Sequence, residues 1–265
     1  HLSLRRQRQM CIRDRNEEVP DNWVYEPAFS AKSAPNPADV AAAAEVLAQA
    51  ERPVIYAGQG VHYAKAWDEL NTLAEAWNIP VTTSIEGKSA FPEDHPLSLG
   101  SGGRANPRPV KHYLAEADVI FGIGVSFALT AFGVPMPKDK TIIHATLDPI
   151  DLNKDVPAQY GLIGDAKLSL DALNSAMASF DKSPAAARAD EPTKIAALRD
   201  AWMSEWLPKL TNNEAPINPY RVVAELDRLV DKDNVVITHD AGSPRDQTTP
   251  FWTSTTPLSY IGWGK

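Results

Sequence analysis

Pro53-Val54-Ile55-Tyr56-Ala57-Gly58-Gln59-Gly60 decides the fold. The first five of these residues carry no charge and lead into Gly-x-Gly. They read as a strand covered on both faces that turns tightly into a helix. The same alternation extends outward. Upstream, Asn36-Pro37 is a helix-start signal, an N-cap followed by proline at the first helical position. It opens an alanine-rich amphipathic helix over Ala38–Ala50. Downstream, the pattern predicts a helix over Ala64–Asn78, a strand over Pro80–Ser84, and a Gly/Pro-rich loop from Glu86 to Asn106. A loop of that length in a compact domain is functional or disordered. A helix over Pro107–Ala117 then leads into the apolar strand Asp118–Ile123. Thr141–Thr146 is a second buried strand, Gly161–Ile163 a short edge strand, and Ala166–Phe180 a helix.

Apolar strands alternating with helices indicate a parallel sheet covered on both sides. The expected fold class is α/β: a doubly wound parallel sheet, a Rossmann-like central domain over residues 36–180. After it the composition changes. Asp181–Pro192 is polar and proline-bearing, and Thr193–Leu207 reads as a helix carrying Trp202 and Trp206 four residues apart. We therefore expect 181–216 to be a linker with one helix. Asn218-Pro219 repeats the helix-start signal, Tyr220–Val230 is amphipathic, and Asn234–Thr238 reads as a strand that runs into His239-Asp240-Ala241-Gly242-Ser243. Residues 217–265 are expected to open a second, incomplete α/β domain, since about fifty residues are too few for a core of this kind.

Composition excludes several classes. The 265 residues include 26 Lys+Arg against 34 Asp+Glu, a formal net charge of −8, which argues against nucleic-acid and anionic-membrane partners. The apolar runs are far shorter than the roughly 20 residues a membrane-spanning helix needs. The single cysteine, Cys11, excludes a disulfide framework and a cysteine zinc site. A cytoplasmic setting is expected. His1–Arg15, dense in Arg and Gln, is set apart as a non-native or disordered tail, and residues 16–35 as a linker. We expect a fragment whose two ends are arbitrary.

In doubly wound sheets, ligands bind beyond the carboxyl ends of the strands. That rule singles out Gly58, Gln59, Gly60, Gly124, Ser126 and Asp148, with Arg104 in the long loop, as candidates for a nucleotide. The two Gly-x-Gly turns are weak as dinucleotide fingerprints. Tyr63 and Phe127 stand where a third glycine would be. Tight turns without a ligand explain them equally, and Asp148 before Pro149 equally suits a simple turn. His144 reads as a core histidine. In Ala241-Gly242-Ser243-Pro244, glycine permits close backbone approach, and a hydroxyl with turn N–H groups suits phosphate oxygens. An ordinary turn capped by Asp240 is the alternative. A Ser/His/Asp triad of Ser243, His239 and Asp240 is disfavoured, because the Gly-x-Ser-x-Gly elbow is absent.

The order of these parts resembles the thiamine-diphosphate-dependent enzymes of the acetolactate synthase and 2-oxoacid decarboxylase superfamily. Four stretches carry the resemblance in the central domain: Arg52–Gly60, Ile79–Thr83, Phe91–Leu97, and Ala117–Val125 with Ile143–Asp148 beyond it. A fifth, Ile217 to Gly242, resembles the family's entry into its diphosphate-binding domain. The resemblance implies thiamine diphosphate with Mg²⁺ as cofactors and a small 2-oxoacid as substrate. It also implies a homodimer or homotetramer. Ala241, Gly242, Ser243 and Pro244 would meet the diphosphate, and Trp263 and Gly264 would lie near the cofactor rings. No catalytic or metal-ligating residue is expected within this segment. The activating glutamate of the family belongs to a preceding domain and its Gly-Asp-Gly…Asn metal motif to a following stretch, so the chain alone is expected to be inactive. Members differ in whether the central domain holds FAD, ADP or nothing. Ser126 replaces the arginine of the flavin-binding members, which argues against FAD. The rival readings are a flavin- or NAD-linked oxidoreductase and a non-catalytic nucleotide-binding module.

Overall fold

The computed structural model describes residues 20–27 and 31–262. Of the described residues, those up to Ala31 belong to a unit of their own. Within it, Trp23 N–H donates to the Pro20 carbonyl, and the rings of Trp23 and Tyr25 lie 6.3 Å apart.

The unit from Lys32 onward carries the sheet. Its elements run α1 (Pro37–Gln49), β1 (Pro53–Ala57), α2 (Gln59–Ala64), α3 (Trp67–Trp77), β2 (Val81–Thr83), β3 (Ser98–Ser101), α4 (Arg108–Glu116), β4 (Val119–Ile123), β5 (Thr141–Thr146), β6 (Tyr160–Ile163) and α5 (Ala166–Met177). The strands pair in the order β3-β2-β1-β4-β5-β6, all parallel. This is the doubly wound arrangement, with its switch point between β1 and β4. Every residue of β1 and β4 is buried, which is why both read as unbroken apolar runs. Their register sets Ile55 beside Phe121 and Ala57 beside Ile123. Helix α5 packs against both α1 and α3. The chain returns from β3 to β4 through α4, and a right-handed crossover in that direction places α4 on the opposite face. There it packs against the long helix described next.

Beyond the sheet come α6 (Ser183–Ala187), α7 (Glu191–Leu210), α8 (Pro219–Leu229), β7 (Ile237–His239), α9 (Ser243–Phe251) and β8 (Tyr260–Gly262). Strands β7 and β8 pair in parallel. A second small core forms here from Trp202, Leu210, Val223 and Phe251, so α7 belongs to the packing of this region. Arg188, buried after α6, donates to the Ala50 and Trp77 carbonyls and pins the ends of α1 and α3.

Four local expectations are corrected. The helix expected over Ala64–Asn78 is two helices. Lys65 takes φ +53°, a left-handed residue that ends α2, and α3 restarts with Asp68 and Glu69 in its first turn. The loop expected over Glu86–Asn106 contains edge strand β3. Its sequence, Ser98-Leu99-Gly100-Ser101, is half polar, and its serines are buried because neighbouring groups bond them. Gly100 sits at φ +89° beside a register shift between Val81 and Thr82, which erases the period-two pattern. Between 181 and 216 there are two helices, α6 and α7, rather than one. The strand expected over Asn234–Thr238 is displaced to Ile237–His239. Asp231 accepts from Asp233 N–H and starts a short 3₁₀ turn over Lys232–Asn234 instead.

Candidate functional site

The first candidate group lies on the carboxyl edge of the six-stranded sheet. Gly58 N–H donates to the Ile123 carbonyl and Gly60 N–H to the Gly124 carbonyl, both at 2.9 Å. The approach is so close that a Cβ on Gly58 would lie 2.4 Å from the Gly124 oxygen. One on Gly60 would lie 2.7 Å from the Gly124 Cα. These three glycines are therefore required by backbone contact across the switch point. The chain then turns through Phe127 at φ +50°, and its ring lies where a Gly122 side chain would be. It meets His144 edge-on at 4.8 Å. The Ser126 hydroxyl accepts from Ala128 N–H at 3.3 Å, and Asp148 Oδ1 accepts from Ile150 N–H at 2.9 Å. Both side chains serve their own turns. Gln59 and Arg104 are exposed.

The second group is the turn between β7 and α9. Ala241, Gly242, Ser243 and Pro244 are all exposed. Gly242 adopts φ +88° and ψ −142°, a conformation open essentially only to glycine, and nothing lies within 4 Å of where its Cβ would be. It is the N-cap of α9, and no side chain caps that helix. Asp240 does not act as the cap either. Its Oδ1 accepts from Ala241 N–H at 2.7 Å, short of the helix. The helix therefore leaves first-turn N–H groups and the positive end of its dipole uncapped by any side chain, at a turn where Gly242 and Ser243 are exposed. His239, at the end of β7, points Nδ1 at the Asp240 carbonyl at 3.0 Å, and no contact joins it to Ser243 as the disfavoured triad would need. Trp263 and Gly264 lie outside the described residues, as does the His1–Arg15 tail.

A third cluster joins these two regions and was not legible beforehand. Lys88, in the loop after β2, is fully buried and forms an ion pair with Glu93. Its Nζ also donates to the Thr249 carbonyl in α9 at 3.0 Å. Glu93 accepts from the Ser101 hydroxyl at 2.6 Å and from Ser254 N–H at 2.8 Å, and Glu93 N–H donates to the Ser254 carbonyl at 2.9 Å. The Thr83 hydroxyl completes the relay by donating to Ser101. Burial pushes the Lys88 ammonium below the ordinary lysine range, against the opposing pull of Glu93. The sequence signal was thin, because a lone lysine in a loop reads as solvated. Glu93 stood only within the stretch Phe91–Leu97.

Among the described residues, no group of three or more His, Cys, Asp or Glu side chains is placed to hold a metal ion. No described helix is long and apolar enough to cross a membrane.

Residues 40–173 match the thiamine pyrophosphate enzyme central domain. This chain belongs to the thiamine pyrophosphate enzyme family. Its matched span begins in α1 and ends in α5, so it coincides with the doubly wound sheet. Similarity to curated relatives extends further along the chain. A probable acetolactate synthase large subunit of Methanocaldococcus jannaschii is 33% identical over 249 residues, covering 90% of this chain and 40% of the relative. A probable acetolactate synthase large subunit of Methanococcus aeolicus is 30% identical over 237 residues, 86% of this chain and 40% of the relative. The acetolactate synthase large subunit of Buchnera aphidicola subsp. Schizaphis graminum is 32% identical over 233 residues, 84% and 38% respectively. The chain thus spans about two fifths of the length of these family members.

The family's cofactor carries a diphosphate, and the β7–α9 turn fits such a group. It has an uncapped helix start, a glycine in a conformation other residues avoid, and open space above it. The carboxyl edge of the central sheet is different in kind, since its glycines meet one another.

Proposed function

We propose that this chain is the central domain and the opening of the diphosphate-binding domain of a thiamine-diphosphate-dependent enzyme. Its reaction would be acetolactate synthase-like carboligation, or decarboxylation, of a small 2-oxoacid. The observation that carries the reading is the open, uncapped turn at Gly242, at the point in the chain where the family resemblance puts the diphosphate. When bound, thiamine diphosphate supplies a carbon nucleophile that accepts the 2-oxoacid and stabilises the negative charge left by carbon dioxide. The residues here act on its charged tail. The Ser243 hydroxyl and the backbone N–H groups of Ser243 and Arg245 would hold the phosphate oxygens, with the helix dipole favouring their charge. Gly242 lets the backbone come close. Mg²⁺ would be held mainly by groups outside this segment. On the same reading, this segment alone does not turn over a 2-oxoacid.

The test is a cofactor titration of the full-length protein, with pyruvate consumption as a second readout. Wild-type protein is expected to bind thiamine diphosphate with Mg²⁺, whereas Gly242→Val folds but loses binding. Valine cannot hold the φ of +88° that Gly242 adopts, so the exposed turn must change shape, and the side chain would project where the diphosphate must approach. Wild-type affinity in Gly242→Val would refute the assignment of the turn. Pyruvate turnover by the 265-residue chain alone would refute its proposed inactivity.

A further inference from the structure

We infer that Lys88, a residue of the central domain, is a positioning residue for the diphosphate turn. The inference rests on the reading of that turn given above. Helix α9 runs from Ser243, with Gly242 as its N-cap, to Phe251, so any group that fixes its far end also aims its start. Lys88 does this directly. Its ammonium donates to the Thr249 carbonyl, at the end of the helix where the dipole favours a cation. The ammonium is oriented by Glu93, which is itself held on both sides. Ser101, on β3 of the central sheet, donates to one carboxylate oxygen, and Ser254 N–H, just past α9, donates to the other. The ring of Tyr260 on β8 lies 5.2 Å from the Lys88 ammonium, and its hydroxyl bonds Thr248 and Thr249. A second hold sits near the start of the helix, where the Arg245 guanidinium lies 4.1 Å over the Phe132 ring from the central domain. The nine-residue helix is thus clamped at its end by a buried ion pair and at its first turn by a cation–π contact.

A buried lysine in a loop is costly unless a purpose repays its desolvation. Packing alone would be served as well by an apolar side chain. What an apolar residue cannot do is bond a carbonyl of the last helical turn and so set the helix axis. The substrate-free chemistry of the pair also fits this role. Lys88 and Glu93 bond each other, the backbone and Ser101, and those contacts leave no group of the pair pointed at the diphosphate turn.

The test compares Lys88→Met/Glu93→Gln with Gly242→Val and wild type in the full-length protein. The double variant removes both charges while keeping shape, so it is expected to fold. Its Gln oxygen still accepts from Ser254 N–H, and its NH2 faces the Ser101 hydroxyl, which turns from donor to acceptor. The ion pair and the tie to Thr249 are lost. Two readouts are taken. Hydrogen exchange should quicken about tenfold in a peptide covering 243–254 and stay unchanged across β1 and β4. The dissociation constant for thiamine diphosphate with Mg²⁺ should rise about tenfold at a temperature where the double variant remains fully folded. Wild-type affinity in the double variant, beside a Gly242→Val that has lost binding, would overturn the inference while leaving the turn assignment intact. Unchanged exchange over 243–254 would also overturn it. Wild-type affinity in Gly242→Val would overturn the turn assignment and this inference with it.

Discussion

The indole Nε1–H of Trp67 donates to Nδ1 of His62 at 3.0 Å and thereby fixes which imidazole nitrogen carries the proton. An indole nitrogen only donates, so Nδ1 accepts, and the hydrogen on Nε2 goes to the Lys88 carbonyl at 3.0 Å. His144 is placed similarly. Its Nε2 donates to the Val125 carbonyl at 2.8 Å, and its Nδ1 is buried with no partner. Burial lowers the pKa of both rings. Below the ordinary histidine value of about 6.5, the unfolded chain therefore binds more protons than the folded one. The stability these rings contribute is complete above that pH and is lost as pH falls through the window beneath it. In urea unfolding between pH 7 and 5, each ring should add a slope of up to about 1.4 kcal/mol per pH unit. His62→Gln has no titrating group and can still donate to the Lys88 carbonyl in place of Nε2, so it should flatten the profile by one such share. Parallel profiles for wild type and variant would refute the neutral, buried assignment.

The switch-point glycines make a sharper stability prediction. A methyl on Gly58 meets the Gly124 oxygen at 2.4 Å and the Val125 Cγ1 at 2.5 Å, and the backbone partner cannot rotate away. Gly58→Ala should cost about 3 kcal/mol, the upper end of ordinary overpacking. Gly133 is the control. Its nearest neighbour would be the Thr130 hydroxyl at 3.1 Å, on an exposed side chain that can shift with no loss beyond its solvent-exposed bond from Gly133 N–H. Gly133→Ala should stay within about 0.5 kcal/mol of wild type. Denaturant midpoints at constant slope would measure both. Equal midpoints for the two variants would contradict the close approach.

These contrasts show what was readable beforehand. The central strands β1, β4 and β5 were legible because parallel strands buried on both faces leave runs such as Val119–Ile123 with no polar residue to confuse them. Strand β3 was hidden because its burial is satisfied by hydroxyls. Ser101 looks like loop chemistry until Thr83 and Glu93 are seen to bond it. The α2–α3 break was hidden because Lys65 gives no sign of a left-handed conformation, which glycine would have signalled. At the candidate site, Gly242 and Ser243 could be picked out by residue type and by place after a strand. Lys88 could not, since its partners Glu93, Thr249 and Tyr260 come from three separate stretches that only the tertiary fold assembles.

The aromatic cluster around Phe251 should decide whether the region around α8 and α9 keeps its shape. Phe251 stacks on Trp202 at 5.1 Å with 6° between ring planes, and lies 4.9 Å from Trp206 and 5.5 Å from Tyr220. It is the residue through which the small core between α7, α8 and α9 is joined. Phe251→Ala should cost about 3–5 kcal/mol, as truncation of a buried aromatic ring does. The loss should be local. Near-ultraviolet circular dichroism from the tryptophan pair should collapse, and trypsin should cleave after Arg221 and Arg228, while the central sheet stays protected. Cleavage spread evenly over the chain would show that the two cores melt as one.

The Lys88–Glu93 pair carries the last prediction, which concerns energy rather than cofactor affinity. Lys88→Met leaves the Glu93 carboxylate buried, with only the Ser101 hydroxyl and Ser254 N–H to meet its charge. Glu93→Gln leaves an ammonium in the interior facing the Thr249 carbonyl and the Tyr260 ring. Each single change strands a charge, and each should cost about 3–5 kcal/mol. The double change strands none. What it loses is mutual attraction already offset in large part by desolvation, so it should cost less than either single variant. Denaturation of all four proteins closes a thermodynamic cycle, and the coupling should reach at least about 2 kcal/mol. Additive costs would mean that the two side chains do not share one buried electrostatic unit. The clamp on α9 would then have to be sought in the contact between Arg245 and Phe132 alone.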